Sequence, residues 1–170
     1  MKWHVSHRAD KRAVKIADRH YNRQKPGSPQ FVPPGRCLVL VAPSREAPKA
    51  VWATTWPFAE YVKHAWAGAW TCSIFRNEGA GLSSDLIRQA VAATRWKWPD
   101  VPELGMITFV DRKKVRGPNP GYCYLKAGFR KLAEKTKGGL IVLQMLEAEM
   151  PEAVKPNEVE DLQGTLWASS

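Results

Sequence analysis

The segment from Arg76 to Gly81 constrains the fold of this chain most, because it follows an apolar stretch and leads into a helix-like pattern. Its two glycines, Gly79 and Gly81, allow the backbone to turn tightly and to approach a ligand closely. The N–H groups at the start of the coming helix point at such a ligand, and Arg76 adds a fixed positive charge. The segment therefore predicts a strand, a phosphate-binding turn and a helix in succession, which favours an α/β fold.

Hydrophobic periodicity predicts the remaining elements. Ser6 is the expected N-cap of a first helix over residues 7–21. Further helices are expected over 83–98 and over 120–127, where Gly128 would end the last one. Strands are predicted at 37–42, 51–56, 70–75, 104–110, 129–133 and 140–146.

The size and composition of the chain favour a single domain. It has 170 residues, of which 44% are hydrophobic, and it contains no apolar run long enough to span a membrane. Its three cysteines are widely spaced and odd in number, which is typical of a reducing cytoplasm. We expect one domain over 1–146, made of an N-terminal helix and substrate loop (1–36) and a core (37–146), followed by a loosely attached acidic tail over 147–170.

The formal net charge of +10 predicts a polyanionic partner such as DNA or RNA. Positive charge is concentrated between Lys2 and Lys25 and between Arg112 and Lys137. From these stretches we expect nucleic-acid contacts from Lys15, Arg19, Arg23, Lys25, Arg112, Lys113, Lys114 and Arg116. Asn22 or Gln30 would then form hydrogen bonds with a base edge.

Two motifs resemble those of the GCN5-related N-acetyltransferase (GNAT) superfamily. The first is Arg76-x-x-Gly79-x-Gly81 after a strand, which in that superfamily binds the pyrophosphate of acetyl-CoA. The second runs from Asn119 to Phe129 and contains Tyr-x-Lys-x-Gly-Phe, in which the tyrosine matching Tyr124 often protonates the departing CoA thiolate. The resemblance covers about residues 37–146. It implies a mixed central sheet with flanking helices, in which the parallel strands 70–75 and 104–110 splay apart to admit the pantetheine arm.

The resemblance implies acetyl-CoA or a related acyl-CoA as cofactor, with phosphate bound by the N–H groups of the glycine turn. The expected cofactor-binding residues are Ile74, Phe75, Arg76, Gly79, Ala80, Gly81 and Leu82. Two alternatives stay open at this stage: an ordinary surface ion pair for Arg76, and packing of Tyr124 with its hydroxyl at the surface.

A narrower set is similar to the functional residues of the phage Mom family, whose members have the acetyltransferase fold and convert the N6 amino group of adenine in DNA to a carbamoylmethyl derivative. The matching residues are His20, Tyr21, Arg76, Asp111 and Tyr124. This resemblance implies that His20 or Asp111 acts as base or orients the amine of the nucleobase, and that Tyr124 acts as acid. It also makes iron a possible cofactor, with no ligand set assigned. Otherwise His20 interacts with the end of its helix, Tyr21 packs under the 24–36 loop, and Asp111 caps its loop or pairs with neighbouring basic residues.

Three classes of function follow. The first is an acyl-CoA-dependent enzyme that modifies adenine in double-stranded DNA and turns the base out of the stack to reach it. The second is an acetyltransferase acting on aminoacyl-tRNA, on a protein or on a small-molecule amine. The third is a nucleic-acid-binding protein whose acyl-CoA loop has decayed. No membrane partner is expected, and the oligomeric state, including a homodimer, stays open.

Overall fold

The computed structural model describes residues 1–20, 31–43, 47–58, 60, 62–115 and 119–158. These residues form a seven-stranded sheet in the order β1-β2-β3-β4-β5-β7-β6. In chain order the elements are β1 (His4–Val5), α1 (Lys11–Ala17), β2 (Arg36–Ala42), β3 (Ala50–Trp56), β4 (Trp70–Asn77), α2 (Ser83–Lys97), β5 (Met106–Val110), α3 (Tyr122–Ala127), β6 (Arg130–Lys135) and β7 (Ile141–Met145).

The sheet is antiparallel except where β4 lies beside β5. Their parallel pairing covers three residue pairs and ends at Cys72 and Thr108. The Thr108 hydroxyl donates to the Cys72 carbonyl at 3.2 Å at this last pair. Beyond it β4 continues to Asn77 without a β5 partner. The mixed sheet, its flanking helices and its splayed parallel strands are therefore confirmed.

Each face of the sheet is covered by a different hydrophobic cluster. Helices α2 and α3 pack on one face with Trp3, Trp52 and Trp70. On the other face α1 packs against apolar side chains of β2, β3 and β4, including Ile74. Since side chains alternate along a strand, Phe75 turns toward α3 while Ile74 turns toward α1. The sheet thus separates two environments at the end of β4.

A buried chain of hydrogen bonds joins β3 to α2. The Trp52 indole donates to the Thr54 hydroxyl at 2.7 Å, and the Thr54 and Thr94 hydroxyls are 2.8 Å apart. The Thr94 hydroxyl also donates to the Ala90 carbonyl at 2.8 Å. Buried polar groups are costly unless paired, so this chain fixes α2 at one position on the sheet.

The first helix is shorter than predicted, and its N-cap is Asp10 rather than Ser6. The Asp10 carboxylate accepts from the Arg12 N–H at 2.9 Å and from the Ser6 hydroxyl at 2.6 Å. Burial by itself would raise the pKa of Asp10, but the hydrogen bonds from Arg12 and Ser6 lower it to about 2. The charged cap starts the helix at Lys11, and Ser6 supports that cap.

Strand β4 extends two residues further than predicted, because Arg76 and Asn77 pair with Val51 and Ala50 of β3. Arg76 is therefore a strand residue and not part of the turn. Strand β5 begins at Met106, two residues after its predicted start. Gly105 precedes it at φ +63°, where a Cβ would lie 2.1 Å from the Met145 carbonyl oxygen. The close approach of β7 to Gly105 therefore sets the residue at which β5 begins.

The expectation of a loosely attached tail is wrong for residues 147–158. Asn157 bridges to His4 of β1 and exchanges backbone hydrogen bonds with Trp3 and Val5 at 3.0 and 2.8 Å. Met150 is buried against the α2 face. Residues 159–170 lie outside the described part of the chain. In the ranges that are described, no helix combines the length and apolar character needed to cross a bilayer.

Candidate active site

The divergence of β4 from β5 opens a cleft of about 340 Å³ at the carboxyl ends of the two strands. One wall comes from α3, and the other lies on the face of α1. Among the described residues, the cleft is lined by His20, Cys72, Ser73, Ile74, Phe75, Arg76, Asn77, Ser83, Thr108, Phe109, Val110, Lys114, Val115, Gly121, Cys123 and Tyr124.

Tyr124 occupies the α3 wall. Its ring packs edge-on against Phe129 and Phe75, with centroids 5.4 and 6.1 Å away. Its hydroxyl lies 3.6 Å from the Cys72 sulfur, so the expected alternative of a surface hydroxyl does not hold. Burial raises the pKa of Tyr124 well above its ordinary value near 10. The phenol therefore stays protonated, and its O–H is present in the cleft as a hydrogen-bond donor.

Two glycines position α3. Gly121 precedes the helix at φ +79°, and Gly128 ends it at φ +111°. A Cβ on Gly121 would approach Leu143 Cδ1 to 2.7 Å, so this helix starts close against β7. At the other end, the Arg88 guanidinium donates to the Ala127 carbonyl at 2.7 Å. These contacts hold Tyr124 over the opening between the strands.

The thiols of this wall are neutral. Burial raises the pKa of Cys72 to about 12, and burial also raises the pKa of Cys123. A neutral thiol is a weak nucleophile and a weak metal ligand. Neither side chain therefore competes with an acceptor amine for the acyl group of a thioester, and both are small side chains that line the cleft.

The α1-side wall carries positive charge. Arg76 lines it together with His20, which lies in the turn that follows α1, and Lys114 adds a positive charge to the cleft from the turn after β5. Arg76 Nε donates to Glu78 Oε2 at 2.5 Å, so the expected alternative of an ion pair is present. Arg19 donates twice to the same carboxylate, at 2.6 and 2.7 Å. Of the predicted nucleic-acid contacts, Arg19 therefore lies against Glu78, beside the glycine turn.

The glycine turn is organised by the side chain of Asn77. Its Oδ1 accepts from the N–H groups of Gly79 and Ala80 at 3.1 and 2.9 Å. Its Nδ2 donates to the Gly81 carbonyl at 2.7 Å and to the Ser83 hydroxyl at 2.9 Å. Two of the three N–H groups expected to face phosphate thus donate to Asn77 in this structure. The N–H groups of the first turn of α2 have no intrahelical partner and remain as donors.

The rest of the predicted cofactor set is divided between two surfaces. Ile74, Phe75 and Arg76 line the cleft, whereas Gly79 and Ala80 border a neighbouring groove with Lys2 and Lys49. Lys2 Nζ lies 3.3 Å from the Ala80 carbonyl oxygen. Leu82 is the N-cap residue of α2, and its side chain is exposed.

Asp111 is placed beside the cleft and not on its lining. Its carboxylate accepts from the Lys113 N–H at 3.0 Å, and its carbonyl accepts from Lys114 and Val115. It thus caps the turn after β5, which was the alternative to a catalytic role. The same turn holds Arg112 and Lys113 exposed, and Lys15 is exposed on α1. The remaining predictions, for Tyr21, Asn22, Arg23, Lys25, Gln30 and Arg116, fall outside the described residues.

The described residues do not fit an iron site. Within the ranges that the structure covers, no three His, Cys, Asp or Glu side chains come together as metal ligands would. His20 lies in the cleft while Asp111 binds its own turn. The reaction proposed for this cleft therefore includes no metal-dependent step.

Several cleft residues were not predicted from the sequence. The role of Asn77 in the turn could have been predicted, since an asparagine side chain in a turn often accepts a hydrogen bond from the backbone N–H two residues ahead. Glu78, beside the lining, has one partner close in sequence, Arg76, but its other partner Arg19 is 59 residues away along the chain and no local pattern indicates it. Five further unpredicted lining residues belong to strand ends whose separation depends on the sheet: Cys72, Ser73, Thr108, Phe109 and Val110.

Comparison with solved structures identifies the fold. A crystal structure of the aminoglycoside acetyltransferase AAC(6')-Ib in complex with coenzyme A and kanamycin matches with a TM-score of 0.61 and 16% identity, covering 87% of this chain and 95% of that chain. A structure of the same enzyme with coenzyme A matches with a TM-score of 0.48 and 17% identity over 66% and 68% of the two chains, too little to argue from. No family model and no curated protein matches the sequence. The likeness confirms an acetyltransferase-type fold.

Proposed function

We propose that this protein is a coenzyme A-dependent N-acyltransferase that moves an acetyl group from acetyl-CoA to an amine. The observation that carries the proposal is the opening between β4 and β5, which has a protonated tyrosine on one wall and the start of α2 at its end. The shared fold with an acetyltransferase supports it. Fold alone does not determine activity, so the proposal depends on the groups that line the cleft.

The cofactor would lie along the opening. Its pantetheine arm would take the place of the missing β5 partner and pair with the free edge of β4 beyond Cys72. Its pyrophosphate would lie at the start of α2, where the unpaired N–H groups and the helix dipole favour negative charge. Arg76, Lys2 and Lys49 add positive charge around that position. This arrangement brings the thioester close to Tyr124.

The chemistry follows from the groups on the two walls. The acceptor amine attacks the thioester carbonyl, and N–H groups on the free edge of β4 stabilise the oxyanion that forms. Collapse of the intermediate breaks the C–S bond, and Tyr124 donates its proton to the departing thiolate. His20 takes the proton that the attacking amine loses. The product is an amide together with free coenzyme A.

Charge on the cleft favours an anionic acceptor. In the described part of the chain, its lining contains the positive charges of Arg76 and Lys114 and no carboxylate. A polycationic acceptor such as an aminoglycoside would meet like charge there, whereas a nucleic acid would meet opposite charge. We therefore place the acceptor amine on a nucleic acid, with the N6 amino group of adenine in double-stranded DNA as the leading candidate and aminoacyl-tRNA as the alternative. Protein and small-molecule amines are the remaining acceptors.

The product distinguishes simple acetylation from the Mom-type modification. A carbamoylmethyl group contains nitrogen and is joined through its methylene carbon, so transfer of an acetyl group does not make it. Mass spectrometry of nucleosides from DNA of expressing cells measures which group is added. A modified deoxyadenosine that disappears with Tyr124→Phe supports the DNA reading. Unmodified DNA beside acetylated aminoacyl-tRNA contradicts it and favours the alternative.

Cofactor binding is tested separately by calorimetry with coenzyme A. We expect Arg76→Ala to weaken binding about tenfold, since a hydrogen bond to a charged group contributes roughly 1.5–3 kcal/mol. Arg95→Ala is the matched control, because Arg95 pairs with Glu147 away from the cleft. Equal affinities for the wild type and Arg76→Ala would remove Arg76 from the pyrophosphate site.

A further inference from the structure

Glu78 lies between two arginine side chains from distant parts of the chain. The Arg19 guanidinium donates to both of its carboxylate oxygens, at 2.6 and 2.7 Å. Arg76 donates from Nε to Oε2 at 2.5 Å. The turn after α1 is thereby joined to the glycine turn that begins at the end of β4.

The two guanidinium groups, rather than the carboxylate, determine the charge of this cluster. Two positive charges surround one negative charge, and Asp18 acts on Arg19 as an additional, weaker neighbour. Hydrogen bonds from Arg19 and then Arg76 lower the pKa of Glu78 to about 2, so it is ionised at all physiological pH values. Arg19, Glu78 and Arg76 together carry one net positive charge, which the nearby Asp18 offsets in part.

The cluster is accessible to a ligand. The Arg19 and Arg76 side chains are 51% and 36% exposed. Arg76 also lines the cleft, as does His20, the residue after Arg19. Exposed ion pairs are weak, because water solvates both partners when they separate. Exchange of Glu78 for another anion therefore costs little.

Phosphate is the anion that this geometry suits. A guanidinium group presents parallel N–H donors that match carboxylate and phosphate oxygens alike. A pyrophosphate, or two adjacent phosphates of a nucleic-acid backbone, carries two negative charges and four non-bridging oxygens, so it can bind both arginines at once. Each ligand of the proposed function, an acyl-CoA and a nucleic acid, carries such groups.

We propose that Arg19 and Arg76 form a phosphate-binding site which Glu78 closes in the free protein, and that a phosphate group of the cofactor or of the acceptor displaces Glu78 on binding. The existence of the site is inferred from the Arg19–Glu78–Arg76 contacts. The source of its ligand rests on the proposed function. Glu78 acts as an internal competitor, and Arg19 gains a role in ligand binding.

The test measures binding of inorganic pyrophosphate, coenzyme A and a short DNA duplex by calorimetry. The proteins are the wild type, Glu78→Gln, Arg19→Gln and the double variant. Glu78→Gln removes the competing charge and keeps the shape, so we expect pyrophosphate to bind about three- to fivefold tighter, as for the loss of one exposed ion pair. Adding Arg19→Gln should abolish that gain. Glu147→Gln, which breaks the Arg95–Glu147 pair elsewhere, is the control that should change nothing.

The two sources of phosphate give different patterns. Tighter binding of coenzyme A but not of DNA assigns the site to the cofactor, and the reverse assigns it to the acceptor. Unchanged or weaker pyrophosphate binding by Glu78→Gln, in a variant whose thermal unfolding matches the wild type, overturns the proposal. If coenzyme A binds wild type and variants equally and no other probe responds, the site is wrong and the proposed function stands. If pyrophosphate responds while coenzyme A binds none of the proteins, the site stands and the proposed function fails.

Discussion

The two walls of the cleft are built in opposite ways. On the α3 wall, Tyr124, Phe75 and Cys72 are neutral and are held by aromatic packing and burial. On the α1-side wall, Arg76 and the neighbouring Arg19 are charged side chains that reach solvent, and Lys114 adds an exposed charge from the turn after β5. Packing fixes atoms closely, and burial keeps protons in place, so the first wall suits proton transfer. Exposed charge is adaptable and long-ranged, so the second suits recognition of an anion.

The largest expected effect comes from the hydroxyl of the α3 wall. Tyr124→Phe keeps the ring that packs on Phe129 and removes the proton donor. We expect kcat to fall by about 10²–10³, within the usual range for a general acid, while coenzyme A affinity stays unchanged. Steady-state kinetics with acetyl-CoA measure it. The matched control is Tyr122→Phe, on the same helix but exposed, and a threefold loss or less at Tyr124 would place the acid elsewhere.

The next effect is on stability, and it concerns the packing behind the α3 wall. Thr94→Val keeps the shape of the side chain and leaves the buried Thr54 hydroxyl without its acceptor. We expect the free energy of unfolding to fall by about 1–3 kcal/mol, the cost of an unpaired buried polar group. Denaturant titration measures this loss. Thr71→Val, at a half-buried position, should change stability by less than about 0.5 kcal/mol, and equal losses at both sites would contradict the role of the buried chain.

A smaller effect is expected on the charged wall. Lys114→Gln removes an exposed positive charge from the cleft lining and no packing contact of the core. Nucleic-acid affinity should fall a few-fold, and the slope of log affinity against log salt should decrease by about one unit, while unfolding is unchanged. Fluorescence anisotropy at several salt concentrations measures both. Lys126→Gln, on the exposed side of α3, is the control. A salt slope that Lys114→Gln leaves unaltered would show that this wall does not contact the backbone.

The smallest expected effect concerns pH: we expect kcat to stay constant where an ordinary phenol would begin to ionise. A raised pKa keeps the proton on Tyr124 to higher pH, so the acid stays active where an unperturbed phenol begins to ionise near pH 10. We expect no loss of kcat attributable to Tyr124 up to pH 10. A pH–rate profile, with Tyr124→Phe measured in parallel, tests it. A falling limb below pH 10 that Tyr124→Phe lacks would contradict the buried environment of the hydroxyl.

The same contrast explains what the sequence could predict. The strand, turn and helix around Gly79, and the helix that carries Tyr124, depend on local periodicity and on glycine positions, and both were predicted. The contact of Arg19 with Glu78 depends on how α1 packs across the sheet, which no local pattern encodes. Asp111 lies beside the cleft and not on its lining for a local reason: short acidic side chains readily bond the backbone of their own turn. The sequence thus offered capping by Asp111 as an alternative without deciding it, whereas the long-range pairing of Arg19 with Glu78 was not predicted at all.

Strand β6 has a consequence for how copies of this protein meet. It is an outer strand of the sheet, and most of its side chains, among them Arg130, Lys131, Glu134 and Lys135, are exposed. Strands at the edge of a sheet invite pairing with other chains, and charge on the edge discourages it. Three of these four residues are basic, so a second copy docking edge to edge would bring like charges together. Charge on β6 therefore disfavours edge-to-edge pairing of two copies, and with it aggregation through this edge of the sheet.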